Sequence, residues 1–236
     1  MAQRAPSVRP AFRLPIAGIE PLSTVDWPDE LCAVVFTQGC GWHCRYCHNP
    51  HLIPFKPNST IRWEQVRQWL DRRKGLLDGV VFSGGEPTHH AGLAEAMKQV
   101  VELGFRVGLH TGGPQPKVLE PLLPLLDWVG FDVKAPFDRY AKITGKDQGM
   151  NALLSLRRIR EYGVAHEVRT TWHPALLTPG DLRRIAETLA ELQVQEWVIQ
   201  RFRPNGCEDP EIRAIPPGDP PIEQLDSFGI PITLRN

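Results

Sequence analysis

The stretch TQGCGWHCRYCHNP, residues 37–50, sets Cys40, Cys44 and Cys47 at a C-x3-C-x2-C spacing and follows the last with His48. Three thiols and an imidazole so close in sequence point to metal or cofactor chemistry, and three kinds of centre suit these residue types. Zinc would take the Cys3His set, but structural zinc usually draws two ligands from each of two separated knuckles, and adjacent Cys47 and His48 reach one tetrahedral centre with difficulty. A covalently attached haem would use C-x-x-C-H, which CRYCH matches, yet it leaves Cys40 without a task. An iron-sulfur cluster normally takes four thiolates, so three cysteines leave one iron of a 4Fe-4S cluster open to bind substrate. Cys32 lies in an apolar run and reads as core, while Cys207, in RPNGC, reads as a loop residue with a fourth ligand as the alternative.

Such a loop needs a rigid frame, and the chain supplies a repeating one. Short β-branched apolar runs recur at CAVVFT (32–37), GVVFSG (79–84), RVGLHT (106–111), WVGFDV (128–133), EVRTTW (167–172) and EWVIQRF (196–202). Between them lie helical stripes: Trp63, Val66 and Leu70; then Leu93, Met97, Val100 and Val101; then Leu182, Ile185, Leu189 and Leu192, behind a Thr178 cap and Pro179. Strands buried on both faces and separated by helices imply right-handed crossovers and a parallel sheet. Six units, where a closed barrel needs eight, predict an open partial (β/α)6 barrel of α/β class. In such folds ligands bind at the carboxyl ends of the strands, where the cysteine loop also falls. The predicted organisation is a leader with a substrate-side segment over 1–27, the partial barrel over 28–205, and a proline-rich tail over 206–236 that packs on an edge or stays mobile.

Composition narrows the partners. Lys plus Arg and Asp plus Glu both total 27 of 236 residues, so no global field draws the chain to nucleic acid or anionic lipid. The longest apolar runs, such as LLPLLDWVGF, fall short of the ~20 residues of a membrane span. The amino-terminal stretch is basic but broken by Pro6, Pro10 and Pro15 and has no apolar signal region, so a cytoplasmic protein is expected. Five cysteines, an odd number, suit metal or redox use better than a disulfide framework.

Two further motifs carry chemistry. In SGGEP, residues 83–87, two adjacent glycines let backbone approach a ligand, and Gly84, Gly85 and Glu86 offer acceptors to an ammonium group. Asp132 and Lys134 are two apart on one strand, so they share a face, and charges facing a barrel interior need each other or a ligand. Trp42, Trp63, Trp69, Trp128, Trp172 and Trp197 read as packing residues, and His43, His89 and His90 receive no role.

The C-x3-C-x2-C spacing, with Tyr46 before the last cysteine, resembles the signature of the radical S-adenosylmethionine (SAM) superfamily. The wider STVDWP and AVVFTQGCGWHCRYCHNP stretches resemble the activating enzymes of glycyl-radical proteins, such as those serving anaerobic ribonucleotide reductase and pyruvate formate-lyase. The likeness runs from about residue 17 to about 207, through FSGGEPT, FDVKAPF and EVRTTWHP. It implies a 4Fe-4S cluster on Cys40, Cys44 and Cys47, with SAM chelated at the open iron and flanked by Tyr46 and His48. It also implies the SAM amino group at Gly84, Gly85 and Glu86, the ribose hydroxyls at Asp132 and the SAM carboxylate at Lys134. Thr111 matches the second residue of an Asp-Thr pair that helps hold a monovalent cation in pyruvate formate-lyase activases. Here His110 precedes it, and a neutral structural histidine is the reading. Asp26 and Arg169 match residues facing the protein substrate and would hydrogen-bond a glycine loop. No histidine follows the sixth strand, where some relatives contact SAM, and Gln200 and Arg203 are the candidates to replace it. The implied partners are a glycyl-radical enzyme and a flavodoxin- or ferredoxin-type reductant. The alternatives are a radical SAM enzyme acting on a small molecule and, more remotely, a zinc or haem module.

Overall fold

The computed structural model describes residues 13–56 and 59–235; residues 1–12 of the expected leader lie outside them. All six apolar runs form strands: β2 (Cys32–Thr37), β3 (Gly79–Gly84), β4 (Arg106–Thr111), β5 (Trp128–Asp132), β6 (Ala165–Trp172) and β7 (Trp197–Arg201). They pair in parallel, each with the next. Two edge strands extend this unit. β1 (Ile16–Ser23) runs antiparallel to β2, and β8 (Ile232–Arg235) runs parallel to β7. The sheet therefore has eight strands in chain order, and β1 and β8 do not pair. This is the expected open barrel, widened at both edges. The stretch over 206–235 packs on the β7 edge and supplies β8.

Helices α1 (Trp63–Asp71), α2 (Leu93–Glu102), α3 (Pro116–Leu119), α4 (Tyr140–Thr144), α5 (Gly149–Tyr162), α6 (Pro179–Glu191) and α7 (Pro210–Ala214) occupy the crossovers and the tail. α6 starts as its sequence dictates, because the Thr178 hydroxyl accepts from Asp181 N–H while the Asp181 carboxylate accepts from Thr178 N–H. The predicted stripes bury Trp63, Val66 and Leu70 on α1 and Leu93, Met97 and Val100 on α2. Val101 is instead exposed, since the residue after Val100 is turned about 100° around the helix from it. No helix among the described residues is long and apolar enough to cross a membrane.

The inner face of the sheet is built in two tiers. At the amino ends of the strands, Trp27 and Trp128 stack with ring centroids 5.6 Å apart and pack with Cys32, Val34 and Val81. This plug closes the bottom of the barrel. Strand alternation carries the same face upward to Ser83, His110, Asp132, Arg169 and Gln200, so the carboxyl ends are polar.

Candidate active site at the carboxyl ends

One cavity of about 560 Å³ opens at these ends. It is lined by Cys40, Cys44, Cys47, Tyr46, His48, Gly84, Gly85, Glu86, Thr111, Asp132, Lys134, Asp26 and Arg169, the residues that the resemblance implies for the site.

The cysteine loop is held from several sides. Gly39 and Cys40 N–H donate to the Leu52 and Ile53 carbonyls, and His43 and Arg45 N–H donate to the Thr144 and Ile143 carbonyls. Gly41 N–H donates to His89 Nε2 at 3.1 Å, which gives that unassigned histidine a place. On the outer side, Arg45 pairs with Asp209 and Glu211 at 2.7 and 2.8 Å. Burial pushes the Cys40 thiol up to about 12 and the Cys44 thiol up to about 11, so both are protonated until a metal displaces the proton. Cys207 does not line the cavity, and its thiol contacts the Arg45 carbonyl at 3.4 Å.

Cys40, Cys44 and Cys47 line the cavity together, and a set of three thiolates fits a 4Fe-4S cluster that keeps one iron open.

The glycines of SGGEP are required first by the chain itself. Gly84 has φ +114°, and a Cβ there would lie 2.3 Å from Thr37 N; a Cβ on Gly85 would lie 2.2 Å from Gly39 O. The two glycines thus press the β3 turn onto the cysteine loop. Glu86 is buried and already occupied: Oε1 accepts from Thr88 N–H (3.1 Å), Thr88 Oγ1 (2.7 Å) and Thr111 Oγ1 (2.8 Å), and Oε2 accepts from Gly112 N–H (3.1 Å). Its carboxylate ties the β3 and β4 loops together. Thr111 is spent in the same network, because its hydroxyl also accepts from Gly113 N–H at 2.9 Å.

Asp132 and Lys134 do face one another, with Nζ 3.3 Å from Oδ2. Arg169, which pairs across the β5–β6 register with Asp132, donates from Nε to Oδ1 at 3.1 Å. Burial opposes ionisation of Asp132, but Lys134 and Arg169 outweigh it and hold the carboxyl below its usual range. Burial likewise opposes the Lys134 charge, and the nearby Tyr46 and Asp132 hold the ammonium well above its usual range.

Asp26 and Arg169 both line the cavity. Asp26 caps a turn with Ser23, while His110 stands between the two residues. His110 Nε2 lies 2.7 Å from the Asp26 carbonyl, which can only accept, and 3.3 Å from Arg169 Nη1, which can only donate; the shorter contact favours the proton on Nε2, which leaves Nδ1 to accept from Ser83 Oγ at 3.3 Å. Burial, reinforced by Arg169, pushes the imidazole down to about 4, so it is neutral. Sequence reading missed Gly130, where a Cβ would lie 2.5 Å from Arg169 Nη2. A glycine inside a strand was the available signal.

Known proteins can now be set beside this geometry. The radical SAM superfamily pattern matches residues 34–192. A candidate glycyl-radical enzyme activating enzyme of Methanocaldococcus jannaschii is 32% identical over 210 residues, covering 85% of each chain. The pyruvate formate-lyase-activating enzyme of Clostridium pasteurianum is 31% identical over 191 residues, covering 78% of this chain and 79% of that one. Streptococcus suis SuiB bound to the precursor peptide SuiA superposes with a TM-score of 0.67 at 11% identity, over 86% of this chain. This chain spans only 48% of SuiB, and the likeness is one of fold. On the family match and the first two relatives together, this chain is an enzyme of the radical SAM superfamily.

Proposed function

We propose that the protein activates a glycyl-radical enzyme, with anaerobic ribonucleotide reductase as the partner. The observation that carries this reading is the meeting, in one cavity, of three cysteines, the Gly84–Gly85 turn and the Asp132–Lys134 pair. Cys40, Cys44 and Cys47 would hold three irons of a 4Fe-4S cluster, and SAM would bind beside it. When bound, this pair supplies an electron and a 5′-deoxyadenosyl radical that takes a hydrogen atom from a glycine α-carbon.

The chain's own residues bind and orient. Lys134 meets the SAM carboxylate, the Gly84 and Gly85 carbonyls receive its ammonium, and Asp132 faces the ribose. Glu86 shapes the turn, with Oε1 accepting three hydrogen bonds and Oε2 one. No side chain is needed as an acid or base; position and exclusion of water are the contributions. The glycine loop reaches the cavity between the sheet's unpaired edges. Support for this route is that Arg235 of β8 and Val25 and Asp26, just beyond β1, all line the cavity. The electron comes from a flavodoxin- or ferredoxin-type reductant.

The test is anaerobic reconstitution with iron and sulfide. The expected product is a brown protein that bleaches with dithionite and forms 5′-deoxyadenosine. Addition of the partner then gives an electron paramagnetic resonance doublet split by the glycyl α-hydrogen. A colourless, zinc-loaded protein would refute the cluster; SAM cleavage with no doublet from any glycyl-radical enzyme would refute the activase reading.

A further inference from the structure

Trp42 lies between two of the cluster cysteines and, on sequence alone, is one more packing residue. Its surroundings are those of a polar cradle. The indole is buried and lines the cavity, and its Nε1–H donates to Gln148 Oε1 at 2.6 Å. Its outer ring fills the space that Gly112 leaves empty: a Cβ there would lie 2.3 Å from Trp42 Cζ3. Lys134 Nζ sits 5.8 Å from the centre of the Trp42 ring and 5.7 Å from that of Tyr46. Both are within the ~6 Å at which a ring face attracts a cation. Tyr140 completes the setting, since its hydroxyl accepts from Lys134 N–H at 3.2 Å and its ring stands edge-on to Trp42, 5.8 Å away.

A lysine ammonium is a point charge on a flexible stem, and fixing it requires contacts around the head. Asp132 supplies one at 3.3 Å. The faces of Trp42 and Tyr46 supply two more, at 5.8 and 5.7 Å from their ring centres. A leucine at position 42 would keep an apolar side chain there, smaller than the indole, but would offer no negative π-face.

We infer that Trp42 is a positioning residue: with Tyr46 it cradles the Lys134 ammonium so that it can meet a ligand carboxylate in the cavity. This rests on the reading of Lys134 as the partner of the SAM carboxylate, and the test separates the two. Anaerobically reconstituted protein with an oxidised cluster, which does not turn over, is titrated with SAM and with decarboxylated SAM by equilibrium dialysis. The quantity read is the ratio of the two dissociation constants, with iron and sulfide content measured in each sample.

Lys134→Met should lower the preference for SAM over its decarboxylated form. Trp42→Leu should lower it by about tenfold and Trp42→Phe by about threefold, as expected for losing or weakening a desolvated cation–π contact. Trp42→Leu combined with Lys134→Met should do no more than Lys134→Met alone. If Trp42→Leu weakens both ligands equally while Lys134→Met lowers the ratio, the cradle is overturned and the Lys134 reading stands. If Lys134→Met leaves the ratio at the parent value, the Lys134 reading fails and the cradle falls with it. Should Trp42→Leu lose iron or fail to fold, Trp42→Phe and Gln148→Leu decide the matter, and an unchanged ratio in both overturns the inference.

Discussion

Glu86→Gln separates a structural carboxylate from a ligand-binding one. The substitution keeps the shape and replaces one oxygen by an NH2 group. If the amide nitrogen faces Gly112, that buried N–H loses its acceptor and meets a donor; if the amide flips, Thr88 N–H suffers instead, because the Thr hydroxyls can rotate and a backbone N–H cannot. A buried donor left unsatisfied costs about 1–3 kcal/mol, and the remaining bonds fall from charge-assisted to neutral strength, for a total of roughly 3 kcal/mol. For a chain of this size that corresponds to a Tm lower by about 6–12 °C. Thermal unfolding of the cluster-free chain by circular dichroism, with SAM binding measured on reconstituted protein well below the transition, gives both arms. The expected result is the Tm loss with SAM affinity within a few-fold of the parent. A Tm within about 2 °C of the parent together with a tenfold or greater loss of SAM affinity would refute the reasoning.

Cys44→Ala should abolish iron retention and SAM cleavage together, whereas Cys207→Ser should keep the parent iron content, because Cys207 lies outside the cavity; inductively coupled plasma analysis after gel filtration checks both. His110 is held at about 4, below an unfolded value near ~6.5, so its contribution to stability is intact above the unfolded value and is lost as pH falls from there towards 4. The loss should reach roughly 2 kcal/mol between pH 7 and 5, and His110→Gln should flatten that part of the urea-unfolding profile; an unchanged slope would remove His110 as its source. Asp26→Ala should spare SAM cleavage in the absence of partner and reduce glycyl-radical yield at least tenfold, read as 5′-deoxyadenosine formed per spin; equal loss of both would take Asp26 off the substrate side.

Legibility followed the physics of burial. Strands β2 to β7 are covered on both faces over most of their length, so each appears as a short continuous apolar run. β1 and β8 carry no such mark. IAGIEPLS contains Gly18 and Pro21, is largely uncovered and has two register irregularities against β2, all marks of an edge strand. ITLR is four residues within a proline-rich stretch and is a strand only because β7 presents an edge to it. Within the site, period-two alternation sufficed to put Asp132 and Lys134 on one face, although β5 ends at Asp132 and Lys134 lies two residues beyond the strand. Their connection to Arg169 depends on the β5–β6 register, which no local pattern encodes. Trp42 packs in the core as its type suggests, and only its closeness to Lys134 is unreadable locally, since a buried indole over aliphatic neighbours and one beside an ammonium have the same local sequence.

The charges inside the barrel also explain why the cavity tolerates so many of them. Asp132 is shared between two cations, so neither cation is its sole compensation, and Lys134 remains available to a ligand while Arg169 keeps the carboxylate paired. Arg169 in turn sits 3.3 Å from His110, whose protonated Nε2 holds the Asp26 carbonyl. Burial, with this cation beside the imidazole, disfavours a positive charge there, which keeps His110 neutral and its Nδ1 free to accept from Ser83. The same guanidinium therefore fixes the carboxylate proposed to face the ribose and, through one histidine, the segment proposed to face the protein substrate. Gly130 leaves the room this guanidinium occupies, because a Cβ there would lie 2.5 Å from Arg169 Nη2 and 2.8 Å from His110 Cδ2.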